Sequence, residues 1–197
     1  RQIEGAFSLV ITTNDSLVGV RDPQGFRPLC LGKTEHGYVL SSESCAFDAI
    51  KAEFIRDIDP GEMVIIDDRG VRSTIYAEPQ KIDKKLCVFE YIYFARSDSK
   101  IDGQSVYETR LNMGRELYNE TKYDADIVMS IPDSGTTAAL GYARASGIPF
   151  AEGLIKNRYS GRTFIKPNQE ERELAVRMKL NAMPEVVGGK RIVLIDD

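Results

Sequence analysis

The hydrophobic pattern of the chain changes period partway along, and this change restricts the folds that the chain can adopt. Residues 5–76 contain six short runs rich in β-branched and aromatic residues, separated by turn sequences such as Asp22-Pro23-Gln24-Gly25. These runs predict strands joined by hairpins, and therefore an antiparallel sheet with one short helix near residues 42–53. From about residue 104 the apolar residues recur at helical spacing and alternate with continuous apolar runs. The later part therefore predicts helices alternating with strands.

The order of segments in the later part is that of a βαβ unit. An apolar run at 126–131 is followed by a polar loop, a helical segment and a second apolar run at 149–155. Such a unit places its strands in parallel with a right-handed crossover. Residues 191–195 predict a third strand, residues 169–180 a helix, and Ser105 with Glu108 a capping box at the start of another helix. The predicted fold class is α/β in this part, and α+β for the chain as a whole.

Composition excludes several classes of protein. The chain has 197 residues, of which 42% are hydrophobic and 28% charged, as in ordinary globular proteins. No apolar run is long enough to span a membrane, and the net charge of −4 argues against a nucleic-acid binder. Cys30, Cys45 and Cys87 show no C-x-x-C spacing, so we expect no disulfide framework and a reducing, cytoplasmic location. The chain begins without Met and ends directly after a predicted strand, so we expect a fragment of a longer polypeptide.

Three polar segments follow the three predicted strands of the later part, where ligands gather in open α/β sheets. Asp133 to Thr136 lies at the start of a helix, where backbone N–H groups suit a phosphate, although an ordinary N-cap explains the same residues. Residues 156–180 carry seven basic against three acidic side chains. They predict either a loop that closes over a polyanion or a solvated basic surface.

The third segment is the pair Asp196-Asp197, which ends the chain. Adjacent carboxylates can bind the two hydroxyls of a ribose, or a hard cation such as Mg²⁺ shared with substrate oxygens. Taken alone, the pair is better explained as the polar end of a strand. The three segments together predict a site for a phosphorylated sugar at one edge of the sheet.

Longer motifs in the chain resemble those of the amidophosphoribosyltransferases, the glutamine phosphoribosylpyrophosphate amidotransferases. The motifs are FEYIYFARSDSKIDG (89–103), IKNRYSGRTFI (155–165) and VLIDD (193–197). In addition, RDPQGFRPLCLG (21–32) and SSES (41–44) resemble the closing part of the family's glutaminase domain. The resemblance runs along essentially the whole chain in the same order.

The resemblance implies two domains. Residues 1–76 would be the C-terminal part of an N-terminal-nucleophile hydrolase domain, the type 2 glutamine amidotransferase or glutaminase. Residues 77–197 would be the first part of a type I phosphoribosyltransferase domain. In the family, glutamine-derived ammonia displaces pyrophosphate from phosphoribosylpyrophosphate, giving 5-phosphoribosylamine, glutamate and pyrophosphate in the first committed step of purine biosynthesis. The family's nucleophile is an N-terminal Cys, whereas residue 1 here is Arg, so no catalytic residue is assigned and the chain alone is expected to be inactive.

The same resemblance implies site residues. Ser134, Asp196 and Asp197 would hold Mg²⁺, and Phe164 would line the ammonia channel. Cys87 matches one of four ligands of a [4Fe–4S] cluster found in part of the family, and a buried free thiol is the alternative. The residues implied in substrate binding are Asp133, Ser134, Gly135, Thr136, Lys156, Arg158, Tyr159, Arg162, Lys179, Asp196 and Asp197.

The resemblance also implies binding partners for the protein, and two alternative functions are open. The family implies a homo-oligomer, a tetramer, with purine nucleotides as feedback inhibitors and neither nucleic acid nor a membrane as partner. A sugar-phosphate aminating synthase shares a stretch like RDPQGFRPL but has no reason to contain KNRYSGRTF or VLIDD. A non-catalytic module that binds phosphoribosylpyrophosphate or nucleotides is the alternative from a different class. Tyr91–Phe94 predicts a short core strand, and His36 a surface position.

Overall fold

The computed structural model describes residues 3–157, 159 and 168–197. These residues divide into two compact units, the first ending at Glu108 and the second comprising Thr109–Asp197. Residues 77–108 therefore pack with the first unit. The predicted domain boundary between residues 76 and 77 stays a prediction, because a compact packing unit and a domain of the relatives need not share their limits.

The first unit is built mainly from hairpins. Its elements begin with β1 (Ser8–Thr12), β2 (Leu17–Arg21), β3 (Cys30–Thr34), β4 (Gly37–Ser41), α1 (Cys45–Ala49), β5 (Glu53–Asp57), β6 (Glu62–Asp67) and β7 (Gly70–Ile75). The strands form two antiparallel sheets, in the orders β1-β2-β6-β7 and β4-β3-β5. The antiparallel arrangement predicted for residues 5–76 is confirmed, with its strands in two sheets.

The core of the first unit draws on both sheets. Leu31 of β3 and Val64 of β6 are fully buried in one cluster with Leu29 and Ile58. Gly19 in β2 leaves room for Leu40, because a Cβ at this position would lie 2.7 Å from the Cδ1 atom of Leu40. The alternating apolar residues of the strands thus supply a shared interior, as their period of two requires.

Residues 79–105 differ from the prediction at one place. A 3₁₀ turn, Pro79–Lys81, is followed by a π-helical turn, Glu90–Phe94, and by the two-residue strands β8 (Lys100–Ile101) and β9 (Gln104–Ser105). The core strand predicted at Tyr91–Phe94 is therefore wrong. The backbone N–H of Ala95 donates to the carbonyl of Glu90 at 3.0 Å, so the segment satisfies its backbone locally. Tyr93 and Phe94 are 56% and 50% exposed, because the turn buries Glu90 and Tyr91 more fully than these two rings.

The later part of the chain alternates helices and strands, as predicted. Its elements are α2 (Val106–Glu120), β10 (Ile127–Ser130), α3 (Thr136–Ser146), β11 (Leu154–Lys156), α4 (Gln169–Lys179), β12 (Leu180–Ala182), α5 (Pro184–Val187) and β13 (Ile192–Ile195). The Ser105 hydroxyl accepts the backbone N–H of Glu108 at 3.3 Å, which confirms the predicted cap.

The parallel pairing of this part is confirmed for the first and third predicted strands. β10 and β13 pair in parallel from Ile127 opposite Ile192 to Ser130 opposite Ile195. The second predicted strand, 149–155, is divided: Phe150 makes one parallel bridge to Val128, whereas β11 pairs antiparallel with β12. Gly153 lies between these two parts, and a Cβ added there would lie 2.6 Å from Cγ1 of Val187 and 2.9 Å from the sulfur of Met129.

Helices α2 and α3 of the second unit approach each other closely through glycines. A Cβ added to Gly114 would lie 1.9 Å from the carbonyl oxygen of Ala138, and one added to Gly141 would lie 2.1 Å from that of Leu111. Only glycine permits this approach. On its other side α3 packs into the core against the parallel strands, with Ala139 and Tyr142 contacting the cluster of Val128, Val193 and Ile195.

Candidate functional site

The carboxyl ends of β10 and β13 bring two of the predicted segments together. The N–H of Ile131 donates to the carbonyl of Ile195 at 2.8 Å, which extends the parallel pairing to the end of both strands. Gly135 is buried directly against the other strand end, since a Cβ there would lie 2.7 Å from the Ile195 oxygen and 3.2 Å from the Cα of Asp196. Glycine at this position therefore allows the turn to contact the acidic strand end.

The turn 133–136 leads directly into α3. Gly135 occupies the N-cap position and makes no side-chain cap hydrogen bond. The N–H of Thr136 donates to the carbonyl of Asp133 at 3.3 Å, and the hydroxyls of Ser130 and Thr136 lie 3.1 Å apart. The peptide bond between Pro132 and Asp133 is cis. An ordinary Asp or Ser N-cap, the alternative explanation of this sequence, is not what the structure contains, and phosphate binding stays a prediction.

The start of the basic segment reaches the same turn. Lys156, the last residue of β11, places its ammonium nitrogen 2.6 Å from Oδ2 of Asp133. Asn157 holds the backbone here, because its N–H donates to the carbonyl of Lys179 at 2.7 Å and its side-chain amide donates to that of Met178. The sequence predicts that Lys156 and Asp133 lie at the same edge of the parallel sheet. In the structure their side chains are in direct contact.

The structure describes only some of the other residues of the basic segment that the resemblance implies in substrate binding or in the ammonia channel. Tyr159 is fully exposed, and its N–H donates to the side-chain oxygen of Asn157 at 3.0 Å. Lys179 lies at the last position of α4, where its backbone rather than its side chain contacts Asn157. The predicted residues Arg158, Arg162 and Phe164 lie outside the described residues.

Asp196 and Asp197 are exposed carboxylates at the end of β13. Partial burial is the main cause that raises the pKa of Asp196, and the neighbouring Asp197 carboxylate raises it further, while a backbone hydrogen bond from Asp197 acts the other way. A cation would relieve this repulsion between like charges.

The chemistry of this strand end fits Mg²⁺. Hard oxygen ligands suit that ion, which usually takes one or two protein carboxylates together with waters and substrate phosphates. Asp196 and Asp197 can supply the carboxylates, and Ser134 lies half-buried in the adjoining turn. Within residues 3–157, 159 and 168–197, no group of three or more His, Cys, Asp or Glu side chains could hold a metal ion alone. A magnesium ion here would therefore need oxygens from water or substrate.

Cys87 is half-buried, whereas Cys30 and Cys45 are buried at other places in the first unit. A [4Fe–4S] cluster needs four cysteine ligands. No metal-binding group includes Cys87 in the part of the chain that the structure describes, so the cluster stays a prediction.

Arg21, the first residue of the motif RDPQGFRPL, forms an ion pair with Asp102 that the sequence did not indicate. Arg21 is completely buried, and its guanidinium donates to both carboxylate oxygens of Asp102 at 2.9 and 3.0 Å and to the carbonyl of Ile58 at 2.7 Å. Burial alone would raise the pKa of Asp102, but the hydrogen bonds and charge of Arg21, with Lys84, lower it. The partners lie 81 residues apart, which is why no local pattern predicted them.

A concavity with a volume of about 720 Å³ lies in the first unit. Glu90 on its wall is buried, and its Oε1 lies 2.7 Å from Nη1 of Arg27 without a well-aligned hydrogen bond. Burial is the main cause that raises the pKa of Glu90, and Arg27 opposes it. The Arg27 guanidinium also lies over the Phe94 ring, 4.8 Å from its centre. These contacts join the RPL motif to the π-helical turn.

Comparison with known proteins finds relatives of one kind along the whole chain. The chain matches no protein-family model. It is 52% identical over 193 residues to the amidophosphoribosyltransferase of Archaeoglobus fulgidus, covering 98% of this chain and 42% of that protein. It is 55% identical over 202 residues to that of Synechococcus elongatus, covering 100% of this chain and 40% of that protein. The chain is homologous to amidophosphoribosyltransferases. It spans about two fifths of the length of these relatives.

Solved structures agree with the motif resemblance. Glutamine phosphoribosylpyrophosphate amidotransferase from B. subtilis, complexed with ADP and GMP, superposes with a TM-score of 0.88 at 48% identity, over 97% of this chain and 42% of the other. A structure described as the allosteric regulatory enzyme of purine biosynthesis superposes with a TM-score of 0.89 at 49% identity, over 98% of this chain and 41% of the other. Both the resemblance to amidophosphoribosyltransferases and the predicted fold class are confirmed. No helix in the described residues is long and apolar enough to cross a bilayer.

Proposed function

We propose that this chain forms part of a glutamine-dependent amidophosphoribosyltransferase. The enzyme would hydrolyse glutamine with water to glutamate and ammonia, and the ammonia would displace pyrophosphate from phosphoribosylpyrophosphate to give 5-phosphoribosylamine. The observation that carries the proposal is the meeting of the turn 133–136 with Lys156 and with the Asp196 strand end. Homology to amidophosphoribosyltransferases along the whole chain supports the choice of reaction.

The charges of this edge suit displacement of pyrophosphate from an activated sugar. As the bond to the anomeric carbon breaks, positive charge develops on the sugar and negative charge on the leaving pyrophosphate. Lys156 and the N–H groups of the turn 133–136 would stabilise the leaving group, and Asp196 and Asp197 would hold the ribose hydroxyls. Mg²⁺ held beside Asp196, Asp197 and Ser134 would supply further neutralisation of the pyrophosphate charge.

The basic segment supplies the remaining proposed contacts. Arg158, Tyr159, Arg162 and Lys179 would bind the polyanionic substrate and exclude water that competes with ammonia. Phe164 would line the path of ammonia. These roles rest on the match of IKNRYSGRTFI with the family.

Further properties of the full-length protein are part of the same proposal. Residues 1–76 would belong to its glutaminase domain and residues 77–197 to its phosphoribosyltransferase domain. It would be a cytoplasmic homo-oligomer, a tetramer, and purine nucleotides would inhibit it, a role consistent with the ADP and GMP bound to the B. subtilis relative. Cys87 would be one ligand of a [4Fe–4S] cluster.

Substitution of Lys156 in the full-length protein tests the transferase site. Lys156→Ala should lower kcat/KM for ammonia-dependent pyrophosphate release by about 10- to 100-fold, because a charged hydrogen bond to the leaving group contributes roughly 1.5–3 kcal/mol. Lys51→Ala removes an exposed lysine from the first unit and serves as the matched control. An unchanged kcat/KM in the Lys156 variant would contradict the assignment.

A non-catalytic module that binds phosphoribosylpyrophosphate or nucleotides is the second candidate, favoured by the nucleotides in the B. subtilis structure. The two functions differ in turnover. If the full-length protein binds pyrophosphate or purine nucleotides but releases no pyrophosphate with either glutamine or ammonia, the module is correct and the enzyme is not.

A further inference from the structure

The contact between Lys156 and Asp133 is an ion pair formed across the proposed phosphate site. The two atoms lie 2.6 Å apart; Asp133 is in the turn that follows β10, and Lys156 is the last residue of β11. The Lys156 side chain is only 30% exposed, whereas that of Asp133 is 82% exposed. The lysine is therefore held at the edge of the sheet, and the carboxylate that neutralises it faces solvent.

Asp133 is also part of the turn that would receive a phosphate. Its carbonyl accepts the N–H of Thr136, the first residue of α3, so its backbone shapes the helix start while its side chain contacts the lysine. Gly135, in the same turn, lies directly against the backbone of Asp196. An anion approaching the helix start thus meets a lysine that is already neutralised, with further carboxylates on the adjoining strand end.

We propose that Asp133 is a built-in substitute for a ligand phosphate, holding Lys156 at the site until a more highly charged anion displaces it. The identity of that anion as pyrophosphate rests on the proposed function, whereas the ion pair does not. A carboxylate carries one negative charge, so pyrophosphate, which carries several, can displace it from the lysine. The contact would then lower the affinity for every anion that must displace the carboxylate.

Removal of the carboxylate should strengthen anion binding rather than weaken it. Exposed ion pairs contribute little, so Asp133→Asn should tighten binding of pyrophosphate by about two- to fivefold. Orthophosphate should gain by the same factor, because the carboxylate competes equally with every anion that must displace it. Asp133→Glu keeps the charge, so it should bind both anions more weakly than Asp133→Asn does.

The first measurement needs no ligand. Acylation of lysines in the full-length protein, followed by peptide mass spectrometry, reports how freely each side-chain nitrogen can contact and react with the reagent. Lys156 should be acylated faster in Asp133→Asn than in the wild type and in Asp133→Glu. Lys51 should react equally in all three proteins. Equal acylation of Lys156 in the wild type and Asp133→Asn would overturn the proposal.

The second measurement titrates magnesium pyrophosphate and orthophosphate into the same acylation reaction. Protection of Lys156 at lower pyrophosphate concentrations in Asp133→Asn than in the wild type supports the substitute-anion role. Weaker protection in that variant would overturn it, because Asp133 would then be a direct ligand of the anion or its cation. Faster acylation without any pyrophosphate protection would leave the ion pair established and would count against the proposed function instead. Glu152→Gln, which removes another exposed carboxylate of the second unit, should behave as the wild type.

Discussion

Cys30 shows how strongly the pKa and reactivity of a side chain depend on its surroundings. Burial raises the pKa of its thiol to about 12, and the nearby charge of Asp57 contributes in the same direction. Its sulfur also donates a hydrogen bond to the carbonyl of Ser41 at 3.2 Å. Cys87, by contrast, is half-buried. Because the thiolate is the reactive form, the two cysteines should differ in reactivity although the sequence presents them alike.

Alkylation measures this difference. In chelator-treated chain at about pH 8, iodoacetamide should modify Cys87 well before Cys30, because the raised pKa leaves almost no Cys30 thiolate. Peptide mass spectrometry over time gives the two rates. In concentrated guanidinium the cysteines should react at similar rates, which controls for sequence effects. Equal rates in the folded chain would contradict the burial of Cys30.

At the scale of elements, the contact between α2 and α3 depends on glycine. Alanine is normally favoured over glycine inside a helix by roughly 0.5–1 kcal/mol. At Gly141, however, the added methyl group would overlap the backbone of Leu111, and backbone cannot rotate away as a side chain can. The tertiary contact therefore outweighs the local preference. The same reasoning applies to Gly114 opposite Ala138.

Gly141→Ala should lower the free energy of unfolding by about 1–3 kcal/mol, the usual cost of forcing extra volume into a packed interface. Urea unfolding followed by circular dichroism gives the value. Gly147→Ala is a useful comparison, because Gly147 has a φ of +75° and nothing within 4 Å of an added Cβ. Its cost should be about 1–2 kcal/mol from backbone strain alone. A neutral or stabilising effect at Gly141 would show that the helices do not approach as closely as described.

At the scale of the whole molecule, ion pairs make stability depend on pH. Burial would raise the pKa of Asp102, and pairing with Arg21 lowers it. Asp126, which is exposed, has its pKa lowered chiefly by hydrogen bonds from Arg191. A carboxylate with a lowered pKa contributes stability above its unfolded pKa, and this contribution is lost as the pH falls through the folded pKa. Asp57 and Glu90 differ from these two residues, because burial outweighs their favourable contacts and raises their pKa values.

Asp102→Asn separates one of these contributions from the rest. At neutral pH it should reduce the free energy of unfolding by about 3–5 kcal/mol, because the buried Arg21 charge loses its partner. The wild type should lose stability more steeply than the variant as the pH falls below about 4, where an unfolded Asp takes up its proton. Urea unfolding of both proteins across this pH range gives the difference. Parallel curves would mean that the Arg21–Asp102 pair does not shift the titration.

Local pattern was sufficient for much of the fold and for the position of the candidate site. Runs rich in β-branched and aromatic residues predicted the antiparallel strands, and Ser105 predicted a helix start. The apolar runs at 126–131 and 191–195 predicted strands that do pair in parallel. The motifs 89–103 and 155–165 indicated the amidophosphoribosyltransferases to which the chain is homologous. The Tyr91–Phe94 prediction failed, since a short apolar run fits a strand and a helical turn equally well.

The sequence by itself determined which segments form strands and helices, and which polar segments follow the parallel strands. Those properties depend on hydrophobic periodicity and turn chemistry, which act over a few residues. Only the tertiary structure decided that Lys156 pairs with Asp133, that Gly135 lies against Asp196, and that Arg21 is buried with Asp102. These contacts join residues separated by 23 to 81 positions. Packing of distant segments brings them together, and no short-range pattern specifies such a meeting.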